Sequence, residues 1–159
     1  MAAASLVATA FGIIIIIITA YVLAGSTLAT SEIVTTAQKD MTEIQLKMLG
    51  TSLEIGEPPV NLTSPLSITL SNTGNEPIRD FENMEVYLFF SDTGPVLYKY
   101  SSGSGDGWWN DSRSLGYFYP TQWDPGETMT MIITYSESST PIGIQVTTPN
   151  GVSARKVLS

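Results

Sequence analysis

From Leu6 to Gly25 the chain runs 20 residues without a charge, broken only by Thr9 and Thr19. Six consecutive isoleucines, Ile13, Ile14, Ile15, Ile16, Ile17 and Ile18, lie at its centre. At 1.5 Å per residue this stretch amounts to roughly 30 Å, the thickness of bilayer hydrocarbon. It predicts a membrane helix in which Leu6, Phe11, the six isoleucines, Val22 and Leu23 face lipid or, in a filament, other helices. A cleaved secretory signal fits poorly, because Met1 to Ser5 carries no Lys or Arg and the apolar run is long for one. The expectation is a retained anchor.

Beyond Gly25 the chain turns polar without a helix breaker: no proline occurs from Ser26 to Leu49, and the next glycine is Gly50. Val34, Ala37, Met41, Ile44 and Met48 follow one another at spacings of 3, 4, 3 and 4, which aligns them as one apolar stripe on a helix. Residues 3–49 are therefore predicted as a single helix of roughly 70 Å, longer than a bilayer is thick. The stripe needs a cover, either the chain's own β-domain or a seam against another copy or a filament partner. Its spacing resembles a heptad held for about two repeats.

From Thr51 the period changes from 3.6 residues to short alternating runs between turn residues. Predicted strands are Ser52–Ile55, Leu66–Ser71, Met84–Phe90, Val96–Tyr100, Leu115–Tyr119, Thr128–Tyr135, Ile142–Thr147 and Val152–Val157. Alternation is clearest in Thr128–Tyr135, where Met129, Met131 and Ile133 share a face. Asn72-Thr73-Gly74-Asn75, Asp124-Pro125-Gly126 and Asn150-Gly151 punctuate the runs, the last with the chemistry of a two-residue hairpin. The pattern is that of a small antiparallel sandwich behind a helix, an α+β chain. Its predicted divisions are a transmembrane anchor (1–25), a helical stalk (26–50) and an extracellular β-domain (51–159). Ser101–Gly107, rich in Ser and Gly, reads as a mobile loop.

Composition narrows the chemistry. Histidine and cysteine are absent, which removes disulfides, thiolate and imidazole nucleophile pairs and nearly all zinc or copper sites. A formal charge of −8 repels phosphate and disfavours nucleic acid. Asp106, Asn110, Asp111 and Asp124 offer oxygen ligands but match no calcium-loop spacing, and the default for them is solvated loop side chains. Glu82, Glu85 and Glu127 are not singled out as a hydrolytic pair. Neither catalysis nor a cofactor or metal is expected. Six of the fifteen aromatics, Trp108, Trp109, Tyr117, Phe118, Tyr119 and Trp123, fall within 16 residues. Trp108 and Trp109 are adjacent at a predicted loop tip, so one of them is expected to contact a surface partner rather than fill the core. The nearest basic residue to the apolar run is Lys39, so charge does not orient the helix. Two sequons, Asn61-Leu62-Thr63 and Asn110-Asp111-Ser112, favour an extracellular β-domain and mark Asn61 and Asn110 as candidate N-glycosylation sites.

Several segments resemble a known family. Ala20-Tyr21-Val22-Leu23-Ala24-Gly25-Ser26-Thr27-Leu28, Thr36-Ala37-Gln38-Lys39-Asp40-Met41 and Leu49-Gly50-Thr51-Ser52-Leu53-Glu54-Ile55 are similar to the N-terminal half of archaeal flagellum (archaellum) accessory proteins F and G. Leu70-Ser71-Asn72-Thr73-Gly74, Asp124-Pro125-Gly126-Glu127 and Thr148-Pro149-Asn150-Gly151-Val152 resemble strand-turn signatures of that group and of archaellins. The likeness is nearest to protein F. It implies an immunoglobulin-like β-sandwich held outside an archaeal cell membrane by the N-terminal helix. It further implies a stator-type role gripping surface-layer protein, with other archaellum components as partners and self-association through the helix. Protein G instead assembles into a filament, and a pilin-like subunit would pack its N-terminal helices into a filament core. Archaellins carry a short basic leader, and no basic residue precedes the apolar run here, which counts against a processed filament subunit if the chain is complete.

Overall fold

The computed structural model describes residues 2–101, 105–111 and 121–158. One helix, α1 (Ala2–Gly50), is followed by β1 (Leu53–Ile55), β2 (Leu66–Asn72), a 3₁₀ turn (Phe81–Asn83) and β3 (Glu85–Phe90). Then come β4 (Gly94–Tyr98), β5 (Gly107–Asn110), β6 (Thr128–Thr134), β7 (Pro141–Thr147) and β8 (Ser153–Val157). Two compact units result, Met1–Glu43 and Ile44–Ser159, so the last turns of α1 belong with the β-domain.

In α1 the predicted helix runs unbroken through the change from apolar to polar sequence. Its hydroxyls do not interrupt it, because they bond back to carbonyls of the preceding turn. Thr19 donates to Ile15 (2.8 Å), Thr27 to Leu23 (2.8 Å) and Thr30 to Ser26 (2.9 Å). A threonine satisfied in this way adds no orphan donor to an apolar helix.

The strands form two four-stranded antiparallel sheets, β1-β2-β6-β5 and β4-β3-β7-β8. That is the immunoglobulin order, with β4 as an added edge strand beside β3. Period-2 alternation places Leu66, Ile68 and Leu70 of β2 and Met129, Met131 and Ile133 of β6 inward from one sheet. Val86, Leu88 and Phe90 of β3 and Ile144 and Val146 of β7 oppose them from the other. Ile68 stands across from Met131 and Leu88 from Ile144, so each sheet brings a continuous apolar layer to the core.

Two expectations change. β5 lies partly within the region predicted as a loop: Gly-Trp-Trp-Asn has no apolar alternation, and only pairing with Met131–Thr134 of β6 makes it a strand. At the β7–β8 hairpin Thr148 N–H donates to the Val152 carbonyl (2.8 Å), so the loop that pair closes has three residues, Pro149–Gly151, rather than two. Gly151 N–H donates to the Thr148 carbonyl (2.9 Å), so Val152 N–H bonds the Thr148 hydroxyl instead (3.1 Å). Gly151, at φ 86°, takes the left-handed position that such a three-residue loop requires. The predicted strand Leu115–Tyr119, with Tyr117, Phe118 and Tyr119, lies outside the described residues.

Candidate functional site

Two of the turn signatures, Asn72–Asn75 and Asn150-Gly151, meet the C-terminal end of α1, and the third, Asp124-Pro125-Gly126, joins them through Asn72. A helix leaves its last carbonyls without intrahelical donors, and here the turns supply them. Asn75 N–H (2.7 Å) and Glu76 N–H (3.2 Å) donate to the Gly50 carbonyl. The Asn150 amide donates to the Thr51 hydroxyl (2.7 Å) and to the Lys47 carbonyl (3.3 Å), and the Thr51 hydroxyl also donates to Lys47 (2.7 Å). Gly74 is required by proximity: a Cβ there would lie 2.4 Å from the Gly50 carbonyl oxygen and 2.5 Å from Ser52 N.

Asn72 is the hub of this collar and is fully buried. Its Nδ2 donates to the carbonyls of Glu76 (2.9 Å) and Trp123 (3.1 Å), and its Oδ1 accepts from Gly74 N–H (3.1 Å). Its own N–H reaches the Glu127 carbonyl (3.0 Å), and its carbonyl accepts from Gly126 N–H (2.8 Å). Trp123, also buried, donates from Nε1 to the Glu127 carbonyl (2.9 Å). Thr51, Asn72 and Thr148, the buried polar residues among those described, all stand at this end. Beside the collar is an open cleft of about 380 Å³ bordered by Lys47, Thr51, Glu76, Arg79, Asp80 and Asn150. It mixes cations and carboxylates.

The opposite pole, beyond Ile55, Phe90 and Thr134, is also cross-linked. Tyr135 OH donates to the Leu62 carbonyl (2.7 Å), Ser139 to Asp92 (2.6 Å) and Ser136 to Asp106 (2.5 Å). Tyr98 OH donates to Glu137. Burial first, then this carboxylate, pushes the Tyr98 phenol well above the ordinary tyrosine value. The hydrogen bond from Ser139 holds Asp92 below the ordinary carboxylate value.

The oxygen ligands considered for calcium are dispersed. Asp106 is bonded at the far pole, Asp124 pairs with Gln122 at the collar, and Asn110 lies on β5. Among the described residues no group of three metal-ligating acids occurs. Glu85 accepts from Tyr87 OH (3.1 Å) and Glu127 from Asp124 N–H (3.0 Å), while Glu82 sits on the 3₁₀ turn. Hydroxyl and amide partners occupy the first two.

Of the adjacent tryptophans, Trp108 is 0% exposed and packs edge-on against Tyr100, with ring centroids 5.0 Å apart. This corrects its expected place in a surface contact: Trp108 stands across β6 from inward-facing Ile133, whereas Trp109 stands across from Ile132 on the outer face and is half-buried. The Trp108 indole N–H has no hydrogen-bond partner among the described residues. The stripe residues Val34, Ala37, Met41, Ile44 and Met48 are all exposed. So are Leu6, Phe11, Val22, Leu23 and the six isoleucines, on every side of a helix long and apolar enough to cross a membrane. Asn72 and Thr148 are buried anchors whose sequence signal is that of turn motifs alone, with nothing local to mark them as buried.

A family model for archaeal-type flagellin matches residues 3–157. No curated protein matches the chain significantly. Among solved structures, the archaellum periplasmic stator protein FlaG from Sulfolobus acidocaldarius is 26% identical, with a TM-score of 0.51. The match covers 67% of this chain and 97% of that one. A chain of the archaellum periplasmic stator complex of FlaF and FlaG from the same organism shares the fold at 24% identity and a TM-score of 0.51. There 65% of this chain and 85% of the other are covered.

Proposed function

The chain belongs to the archaeal-type flagellin family, and from that premise we propose that it is a non-catalytic structural component of the archaellum, anchored in the archaeal membrane and working as a stator-type element. Residues 1–25 serve as the anchor, 26–50 as the stalk and 51–159 as the domain outside the cell. The observation that carries this reading is a helix, its first half apolar and exposed on all sides, that is continuous with an immunoglobulin-like sandwich like that of the stator protein FlaG. The domain then holds surface-layer protein, with Trp109 as a contact and other archaellum components as neighbours. The stripe from Val34 to Met48 pairs with a second copy.

A specific observation favours a second reading. The flagellin match begins at residue 3 and so includes the apolar helix, which in a filament subunit packs against other helices instead of lipid. Electron microscopy of the purified full-length protein separates the two. Discrete particles that pull down surface-layer protein support the stator reading, and regular fibres support the filament reading.

A further inference from the structure

We propose that Asn61, and not Asn110, is the N-glycosylation site of this chain, the substrate being a lipid-phosphate-linked saccharide. The inference rests on the outside placement proposed above. Both residues head a sequon, but the structure gives them different surroundings. Asn61 is exposed on the β1–β2 connection, next to Val60, which is 100% exposed. Its side-chain amide meets no partner among the described residues. The connection is nonetheless held in place, because Tyr135 OH bonds the Leu62 carbonyl (2.7 Å) and Tyr135 N–H bonds the Ser64 hydroxyl (3.0 Å). These anchors leave Asn61 and Thr63 facing outward together.

Asn110 sits on β5, in register with Met131 of β6, and is half-buried. Its Oδ1 accepts from Tyr100 OH (3.4 Å), and the next residue, Asp111, bonds the Thr130 carbonyl through its N–H (2.9 Å). A transferase would have to strip this segment from the ladder to reach the amide. In the transfer, Asn61 Nδ2 attacks C1 of the first sugar and the Nδ2–C1 bond forms. The C1–O bond breaks, and the lipid phosphate leaves with the electron pair. The amide proton passes to a base of the transferase. A bulky polar saccharide there would also cover the apolar run Pro58-Pro59-Val60.

The test is peptide mass spectrometry of the full chain made in an archaeal host that N-glycosylates its surface proteins. Trypsin releases Asn61 within residues 48–79 and Asn110 within residues 100–113. The expected result is a saccharide mass on the first peptide and none on the second, with N61Q removing the gel-mobility shift and leaving the melting temperature unchanged. A saccharide on residues 100–113, or none on 48–79, overturns the proposal. Labelling exposed Lys99 on intact cells with a membrane-impermeant amine reagent tells the two failures apart. With Lys99 labelled and residues 48–79 bare, only the glycosylation inference falls; with Lys99 unlabelled and the peptide bare, the outside placement falls as well.

Discussion

Asn72 carries the largest share of the collar, because one fully buried side chain satisfies two carbonyls and an amide. Replacing it by Ala leaves those groups unpaired, at about 1–3 kcal/mol each. Asn72→Ala is expected to lose about 3 kcal/mol or more, read as a lower denaturant midpoint at unchanged slope. The tryptophan pair makes a sharper contrast. Trp108→Ala empties a core position and should cost about 3–5 kcal/mol. Trp109→Ala should stay within about 1 kcal/mol of wild type yet weaken pull-down of surface-layer protein. Loss of folding in both variants would place the partner surface elsewhere on the sandwich. Tyr98 adds a pH dependence. Its phenol is raised in the fold, so its contribution is complete below the unfolded value near 10 and declines as pH rises beyond that. Thermal stability is therefore expected to fall above about pH 10, with a shallower slope in Tyr98→Phe.

At the level of the element, α1 asks two things of one helix. Its first half is uniformly apolar, and a charge at its centre costs roughly 2.5–3.5 kcal/mol on insertion scales. Ile15→Arg is accordingly expected to release the protein from carbonate-washed membranes, and unchanged retention would defeat the anchor. Its second half presents the stripe. Met41→Glu together with Ile44→Glu puts two charges into any helix pair formed there and is expected to abolish self-association in detergent while the sandwich stays folded. An unaltered oligomer would assign the stripe another role. β5 makes a different point about elements: four residues without alternation become a strand because β6 offers a free edge beside them.

Considered as a whole, the chain places a fold boundary inside a secondary-structure element. Lys47 and Gly50 lend carbonyls to the turns of the β-domain, so the compact unit begins at Ile44, before α1 ends. A fragment of residues 44–159 is expected to be soluble, β-rich by circular dichroism and cooperative on heating. Starting instead at residue 51 removes the helix turns that the Asn150 amide and the turn 74–76 were built to meet. That shorter fragment is expected to be less stable by about 1–3 kcal/mol. Equal midpoints would mean that the collar is dispensable to the sandwich.

Much of this protein could be read along the chain because the relevant signals are local. A 3.6-residue period, a 20-residue apolar run and a 2-residue alternation are properties of neighbouring positions, and they determined the long helix, the shared face of Met129, Met131 and Ile133 on β6 and the sandwich class. The turn motifs were equally visible as turns. Only the tertiary structure decided that Asn75, Glu76 and Asn150 meet the end of α1, since residues about 25 and 100 positions beyond it are brought there by strand pairing. It also decided between Trp108 and Trp109. Adjacent residues on a strand face opposite ways, but which way is inward depends on the partner strand, and here inward-facing Ile133 of β6 assigns Trp108 to the core.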